Sequence, residues 1–261
     1  MATKTILLDV GGTFIKCSDG RDIPINSAGT REEIVSSLRA ALGDAEKAAV
    51  AIPGPFRYAD GTFLMKHKFA AVYGEKFADI VGRECNFRFV HDVNAMLLGE
   101  MQAGAGAGYD RVALVTLGTG LGFAMSLDGK LLQNEQGSPL IPIYNRPFRD
   151  GVLEDYVSKR GLLRGCDERL TVKDLAMKAY DGDAAALARF REAGTILAEV
   201  IGPVLREYSI QCLLFGGQIS RSYSLLASSL EAGLSGISGL QHVGPISDID
   251  NATFNGLQTL L

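Results

Sequence analysis

An α/β fold is predicted by three features of this sequence. Short apolar runs suited to strands alternate with segments of helical periodicity along the chain. Three of those runs end in glycine turns: Asp9-Val10-Gly11-Gly12-Thr13, Leu117-Gly118-Thr119-Gly120-Leu121-Gly122 and Phe215-Gly216-Gly217. A second strand, turn, strand unit at residues 112–127 repeats the plan of the first without obvious residue identity. Glycine lets the backbone turn sharply and present its N–H groups, so glycine turns at strand ends suit phosphate oxygens. Three of them, with acids at Asp9 and Asp92, point to phosphoryl transfer.

The elements follow in order. Residues 5–10 and 14–17 read as a hairpin around the first glycine turn, and residues 31–42 carry Ile34, Val35, Leu38 and Leu42 at helical spacing. A buried strand at 48–52 ends in Pro53-Gly54-Pro55. Asp60-Gly61 turns the chain into an extended piece at 63–65. Residues 73–81 read as a helix, 87–90 as a strand and 95–102 as a helix, which puts Asp92 at a strand-to-helix junction. The glycine–alanine segment 103–108 reads as a hinge between two lobes. Helices are expected at 151–163, 172–180 and 184–208, the last interrupted near Gly202-Pro203, with a strand at 210–215 and a closing helix at 252–261.

Composition removes several function classes. The 261 residues contain 21% charged and 47% hydrophobic residues with a net charge of -4, a balance with no electrostatic footprint for nucleic acid or an anionic membrane. No stretch approaches a membrane span, and the N-terminal residues lack the pattern of a secretion signal. Cys17, Cys85, Cys166 and Cys212 are scattered and form no C-x-x-C pair, so a cytoplasmic protein without a disulfide framework is expected.

Asp9 beside its turn suits Mg²⁺, held directly or through water, and Thr13 has a hydroxyl for a phosphate; equally, Asp9 can start a tight turn and Thr13 can be a strand former. The segment Gly118 to Gly122 fails the dinucleotide fingerprint, because its spacing is wrong and a strand follows where that motif needs a helix. No lysine follows any glycine turn at P-loop spacing. Gly216-Gly217 can carry an adenosine on flat backbone or simply enter a helix.

Taken in order, Asp9-x-Gly-Gly-Thr, Pro53-Gly54-Pro55 with Asp60-Gly61, Asp92-x-Asn94-Ala95, Gly118-Thr119-Gly120-x-Gly122 with Asp128-Gly129-Lys130, and Gly216-Gly217 resemble the ROK-family sugar kinases over nearly the whole chain. The resemblance implies an actin-like, ribonuclease H-like ATPase fold with two α/β lobes around a cleft. It divides the chain into a small lobe at 1–107, a larger lobe at 108–247, and a C-terminal helix at 248–261 returning to the small lobe. It implies ATP with Mg²⁺, a hexose substrate and a homodimer.

Carried over residue by residue, Asp92 resembles the catalytic base, a role a carboxylate near a sugar hydroxyl can fill. Asp9, Gly11, Gly12, Thr13, Gly118, Thr119 and Gly120 would hold phosphates, and Gly216 and Gly217 would flank the nucleoside. Asn94, Glu135 and Glu154 resemble sugar ligands; either Glu can instead be a solvated surface residue. Departures cluster at the pocket. Ser138 stands where the family has a zinc-binding histidine, the cysteine cluster before Glu154 is absent so that no zinc is expected, His91 precedes the base, and Lys66-His67 replaces Pro-Asn. His67, His91 and Ser138 are therefore expected to line the sugar site. The reading is phosphorylation of a hexose, at the 6-hydroxyl of glucose, with N-acetylmannosamine or N-acetylglucosamine as alternatives. A catalytically degenerate sugar-binding or sugar-responsive regulatory protein is the rival from another class; a repressor would need a DNA-binding module ahead of the strand at Thr5.

Overall fold

Strand β1 (Thr5–Val10) alternates its faces: Ile6, Leu8 and Val10 pack into one core, while Leu7 and Asp9 point to the other side of the sheet. The protein is described by a computed structural model over residues 3–261. It comprises two α/β units. One holds the chain up to Gln102 with Gln133–Leu140 and Asp250–Leu261; the other holds Ala103–Leu132 and Ile141–Ile249.

In the first unit β2 (Phe14–Cys17) and β3 (Asp22–Pro24) extend β1 in antiparallel fashion. Helix α1 (Arg31–Leu42) starts at Thr30 in a capping box with Glu33 and buries Ile34, Val35, Leu38 and Leu42. Strand β4 (Lys47–Ile52) runs parallel to β1; the short pair β5 (Phe56–Arg57) and β6 (Thr62–Phe63) and helix α2 (Phe77–Val81) lead to β7 (Asn86–His91), parallel to β4. Helix α3 (Asp92–Ala103) follows with no intervening loop. The sheet order is β3-β2-β1-β4-β7. The helix expected at 73–81 begins only at Phe77, because Gly74, with φ of 82°, turns its N–H to the Phe63 carbonyl.

The second unit repeats that order and sense. Strands β8 (Arg111–Leu117), β9 (Leu121–Leu127) and β10 (Lys130–Leu131) are antiparallel neighbours. After the small pair β11 (Pro147–Phe148) and β12 (Gly151–Val152) come α4 (Glu154–Val157), α5 (Lys159–Leu162), α6 (Val172–Tyr180) and α7 (Ala184–Glu207). Strand β13 (Cys212–Gly216), helix α8 (Tyr223–Leu234) and strand β14 (His242–Pro245) complete the order β10-β9-β8-β13-β14, with β13 parallel to both neighbours.

Two further helical expectations change. The segment 151–163 is two short helices broken at Ser158, whose backbone is extended, and α7 runs unbroken through Pro203. Proline removes one intrahelical bond there, but Ile201, Gly202, Val204 and Leu205 are all buried around it, and that packing holds the helix. Helix α9 (Ala252–Gln258) belongs to the first unit and packs on β1 and β4. No helix of the described residues is long and apolar enough to cross a membrane, and the four cysteines are free.

Candidate active site

The carboxyl ends of β1, β4 and β7 gather the polar residues of the first unit. Asp9 lies on β1 opposite Ala51 of β4, on the face that α3 covers, and Asp92 is the first residue of α3. Burial and then the negative charge of Asp92 push the Asp9 carboxyl up to about 7, against a smaller opposing pull from Lys16. Burial also acts to raise Asp92, but there it loses. The charge and hydrogen bond of His91, the Val93 N–H and the charge of Lys68 together hold that carboxyl below its ordinary value.

His91 Nδ1 stands 2.8 Å from Asp92 Oδ1, and the same carboxylate oxygen accepts the Val93 N–H at 2.8 Å. The short contact to a carboxylate places the proton on Nδ1, so the 3.3 Å approach of Val93 N–H to that nitrogen is not an accepting bond. The Asp92 side chain remains 39% exposed, which leaves its second oxygen reachable.

Two residues further along α3, Asn94 is fully buried. Its Nδ2 donates to the Gly137 carbonyl at 3.3 Å, while its Oδ1 has no donor among the described residues. A buried carbonyl oxygen without a partner is costly, and a ligand hydroxyl would satisfy it. Gly137 belongs to a turn over residues 134–138 in which Asn134 Oδ1 accepts the N–H groups of Gln136 and Ser138, and Gln136 O accepts Tyr58 N–H. A methyl placed on Gly54 would lie 3.0 Å from Ser138 Oγ, 3.4 Å from His91 Cδ2 and 3.5 Å from the Tyr58 hydroxyl. Ser138, His91 and Tyr58 thus converge on Gly54 at the end of β4. Tyr58 donates to the Ile52 carbonyl, and its phenol is pushed up by burial first and by Asp92 second. Glu135 and His67 are exposed and make no hydrogen bond among the described residues.

The Asp9–Thr13 turn is built for an anion. Gly11 N–H closes it on the Phe14 carbonyl, whereas the N–H groups of Gly12 and Thr13 donate to no described residue. The second unit repeats this at the end of β8. Gly118 N–H bonds the Gly120 carbonyl, and the N–H groups of Thr119 and Gly120 donate to no described residue. Glu154 braces that turn, accepting the Leu121 N–H at 2.8 Å on Oε2 and facing Arg160 at 3.4 Å through Oε1. Gly217 follows β13 at φ 82°, and a Cβ there would sit 2.4 Å from the Leu117 carbonyl oxygen, so only glycine lets the two turns lie side by side.

Residues 27–139 match the model of the ROK family. The chain carries a ROK family domain. It is 24% identical over 271 residues to the glucokinase of Thermotoga maritima, the match covering 87% of this chain and 86% of that protein. It is also 24% identical over 251 residues to the N-acetylmannosamine kinase of Escherichia coli O157:H7, covering 85% and 86%. In fold it matches the ROK family glucokinase of Streptomyces griseus, solved with glucose and AMPPNP, at a TM-score of 0.78 and 23% identity over 98% of each chain. The fold is therefore the actin-like ATPase fold of the ROK sugar kinases.

Sequence reasoning missed Tyr58 and Lys68. Tyr58 carries no motif signal, and its relevance comes from the fold, which turns it toward Ser138. Lys68 sits in the departing Lys66-His67-Lys68 stretch, where the sequence drew attention to the histidine. No group of three or more His, Cys, Asp or Glu able to hold a metal ion occurs among the described residues.

Proposed function

We propose that this protein transfers the γ-phosphoryl group of ATP to a hydroxyl of a hexose, the 6-hydroxyl of glucose, with Asp92 as general base. The observation that carries the reading is the pairing of an ionised, reachable carboxylate at Asp92 with the unpartnered Asn94 Oδ1 two residues on in α3. Together they are an acceptor for the reacting proton and an acceptor for a neighbouring hydroxyl of the same ring. His91 keeps the base ionised and oriented through Nδ1; His67, Ser138, Glu135 and Glu154 are proposed as further sugar ligands, the last also bracing the 118–121 turn. The free N–H groups at Gly12, Thr13, Thr119 and Gly120 would hold phosphate oxygens, with Gly11 and Gly118 shaping the turns and Gly216 and Gly217 beside the nucleoside.

Mg²⁺ fits Asp9. A carboxyl raised to about 7 beside a second carboxylate gains from a nearby cation, and Mg²⁺ is held by one or two carboxylates together with water and phosphate oxygens. Bound there, the cation supplies charge neutralisation at the phosphates. The remaining chemistry is proton acceptance by Asp92 and positioning by the turns.

An N-acetylhexosamine, N-acetylmannosamine or N-acetylglucosamine, is the second substrate reading, because similar proteins include a glucokinase, an N-acetylmannosamine kinase and an N-acetylglucosamine kinase at 24–26% identity. A coupled ADP-release assay over glucose, N-acetylmannosamine and N-acetylglucosamine decides among them, and turnover on none of them rejects the kinase reading in favour of a sugar-binding protein. Asp92→Asn keeps the side chain's shape and its acceptor for Val93 N–H. It is expected to lower kcat by about 10²–10⁴-fold while sugar binding by calorimetry persists. Turnover near that of the wild type removes Asp92 as the base.

A further inference from the structure

A lysine outside every motif reaches this site. Phe69 is fully buried against Phe63, ring centroids 5.6 Å apart, yet its backbone is left-handed at φ 53°, a conformation unusual for an aromatic residue. It is held by a relay: Phe69 N–H donates to the Ser27 carbonyl at 2.6 Å, and Ser27 N–H donates to the Gly12 carbonyl at 3.1 Å. Strained backbone persists where surrounding contacts over-determine it, and it concentrates at functional sites. Its consequence here is that Lys68, the residue before Phe69, is tied to the first glycine turn. A methyl on Gly12 would stand 3.7 Å from Lys68 Cε and 3.9 Å from Cδ. The ammonium has no hydrogen-bond or ion-pair partner among the described residues, although its charge is felt at Asp92.

A fixed stem, an unpartnered ammonium and two unbonded N–H groups at Gly12 and Thr13 are the parts of an oxyanion site. We propose that Lys68 is a phosphate ligand of the Asp9–Thr13 turn, its ammonium holding a nonbridging oxygen of the phosphoryl group beside Asp92. That the phosphoryl group is one in transfer rests on the kinase reading; that the site binds a phosphate through Lys68 does not. As a ligand of the transferred group, Lys68 neutralises charge on oxygens that Asp92 would otherwise repel, so that base and acceptor can share one site.

The test is calorimetric titration of the full-length protein with inorganic tripolyphosphate, for wild type, Lys68→Met, Lys68→Gln and Lys68→Arg. Both neutral variants are expected to bind about 10- to 100-fold more weakly, and Lys68→Arg to stay within about threefold of the wild type. In the sugar kinase assay, Lys68→Met is expected to lose about 100-fold in kcat with the sugar KM unchanged. Equal tripolyphosphate affinity in the wild type and either neutral variant overturns the proposal, as does a wild type that binds no tripolyphosphate at millimolar concentration. Lys68-dependent binding in a protein that turns over no sugar instead retains Lys68 as the anion ligand and rejects the kinase reading.

Discussion

Asp9, which feels the charge of Asp92, and Asp92 itself have opposite protonation tendencies, and each follows from what surrounds it. Asp92 has His91, a helix-terminal N–H and Lys68; Asp9 has burial, a carboxylate neighbour and only Lys16 in compensation. A carboxyl raised from its ordinary value to about 7 favours folding fully below about pH 4, and that contribution is lost as pH rises through 7. An Asp9→Asn variant cannot ionise at this position. Its thermal midpoint is expected to exceed that of the wild type at pH 8 and to match it near pH 4, measured by differential scanning calorimetry. Mg²⁺ at pH 8 should raise the wild-type midpoint more than that of the Asp9→Asn variant, because only the carboxylate gains from the cation. A midpoint gap that does not change with pH removes Asp9 as the titrating group.

At the scale of elements, α9 and α3 meet backbone to backbone. A Cβ on Gly256 would stand 1.7 Å from the Ala95 carbonyl oxygen and 3.0 Å from Gly99 N, and Gly99 likewise faces Ala252 and Gly256. Helix α3 begins at Asp92, so this contact fixes the helix that presents the candidate base. Gly256→Ala must displace main chain, an overpacking cost of about 1–3 kcal/mol. At about 2–4 °C per kcal/mol for a chain of this size, the thermal midpoint should fall by roughly 2–12 °C. Gly236→Ala, where a Cβ meets nothing within 4 Å, should stay within about 2 °C of the wild type.

Elements of strong periodicity were legible from sequence: α1 and α6 have the expected bounds, and Asp92 stands at its strand-to-helix junction. Helix α8 was not read, although Leu225, Leu226, Leu230 and Leu234 are buried at helical spacing; the glycine turn before it drew the reading toward a ligand. Strand β14 was missed because His-Val-Gly-Pro lacks a strand pattern and owes its conformation to pairing with β13. The break at Ser158 and the continuity through Pro203 are tertiary effects that local propensity does not carry. Of the site, the motif residues were legible because glycine turns and acids mark themselves. Tyr58 and Lys68 were not, since each matters through what the chain folds it against.

For the whole molecule, two sheets share one order and one pattern of strand directions, so the same strand-end glycine turn occurs once in each unit. What differs is the loop system each unit adds. In the second unit the segment where the ROK pattern places zinc-binding cysteines is held by side-chain stacking: Arg149 lies over Phe148 at 5.1 Å and Tyr156 at 5.3 Å, and Arg164 over Tyr156 at 4.6 Å. Arg149 also pairs with Glu192 of α7, and Arg160 with Asp155. Cation–π contacts at exposed sites contribute about 0.5–1 kcal/mol each, and the arginine, phenylalanine and tyrosine side chains that make them are not zinc ligands. A zinc-selective chelator is therefore expected to leave both the thermal midpoint and sugar phosphorylation unchanged. Removing Mg²⁺ with EDTA should abolish turnover, and Mg²⁺ added in excess should restore it, because the donor set at Asp9 suits a hard cation. A lower thermal midpoint under zinc chelation would show that the stacked arginines do not hold this segment alone. A doubly substituted Arg149→Ala, Arg164→Ala protein separates the two cases: its midpoint should fall by several degrees, with no recovery on adding zinc.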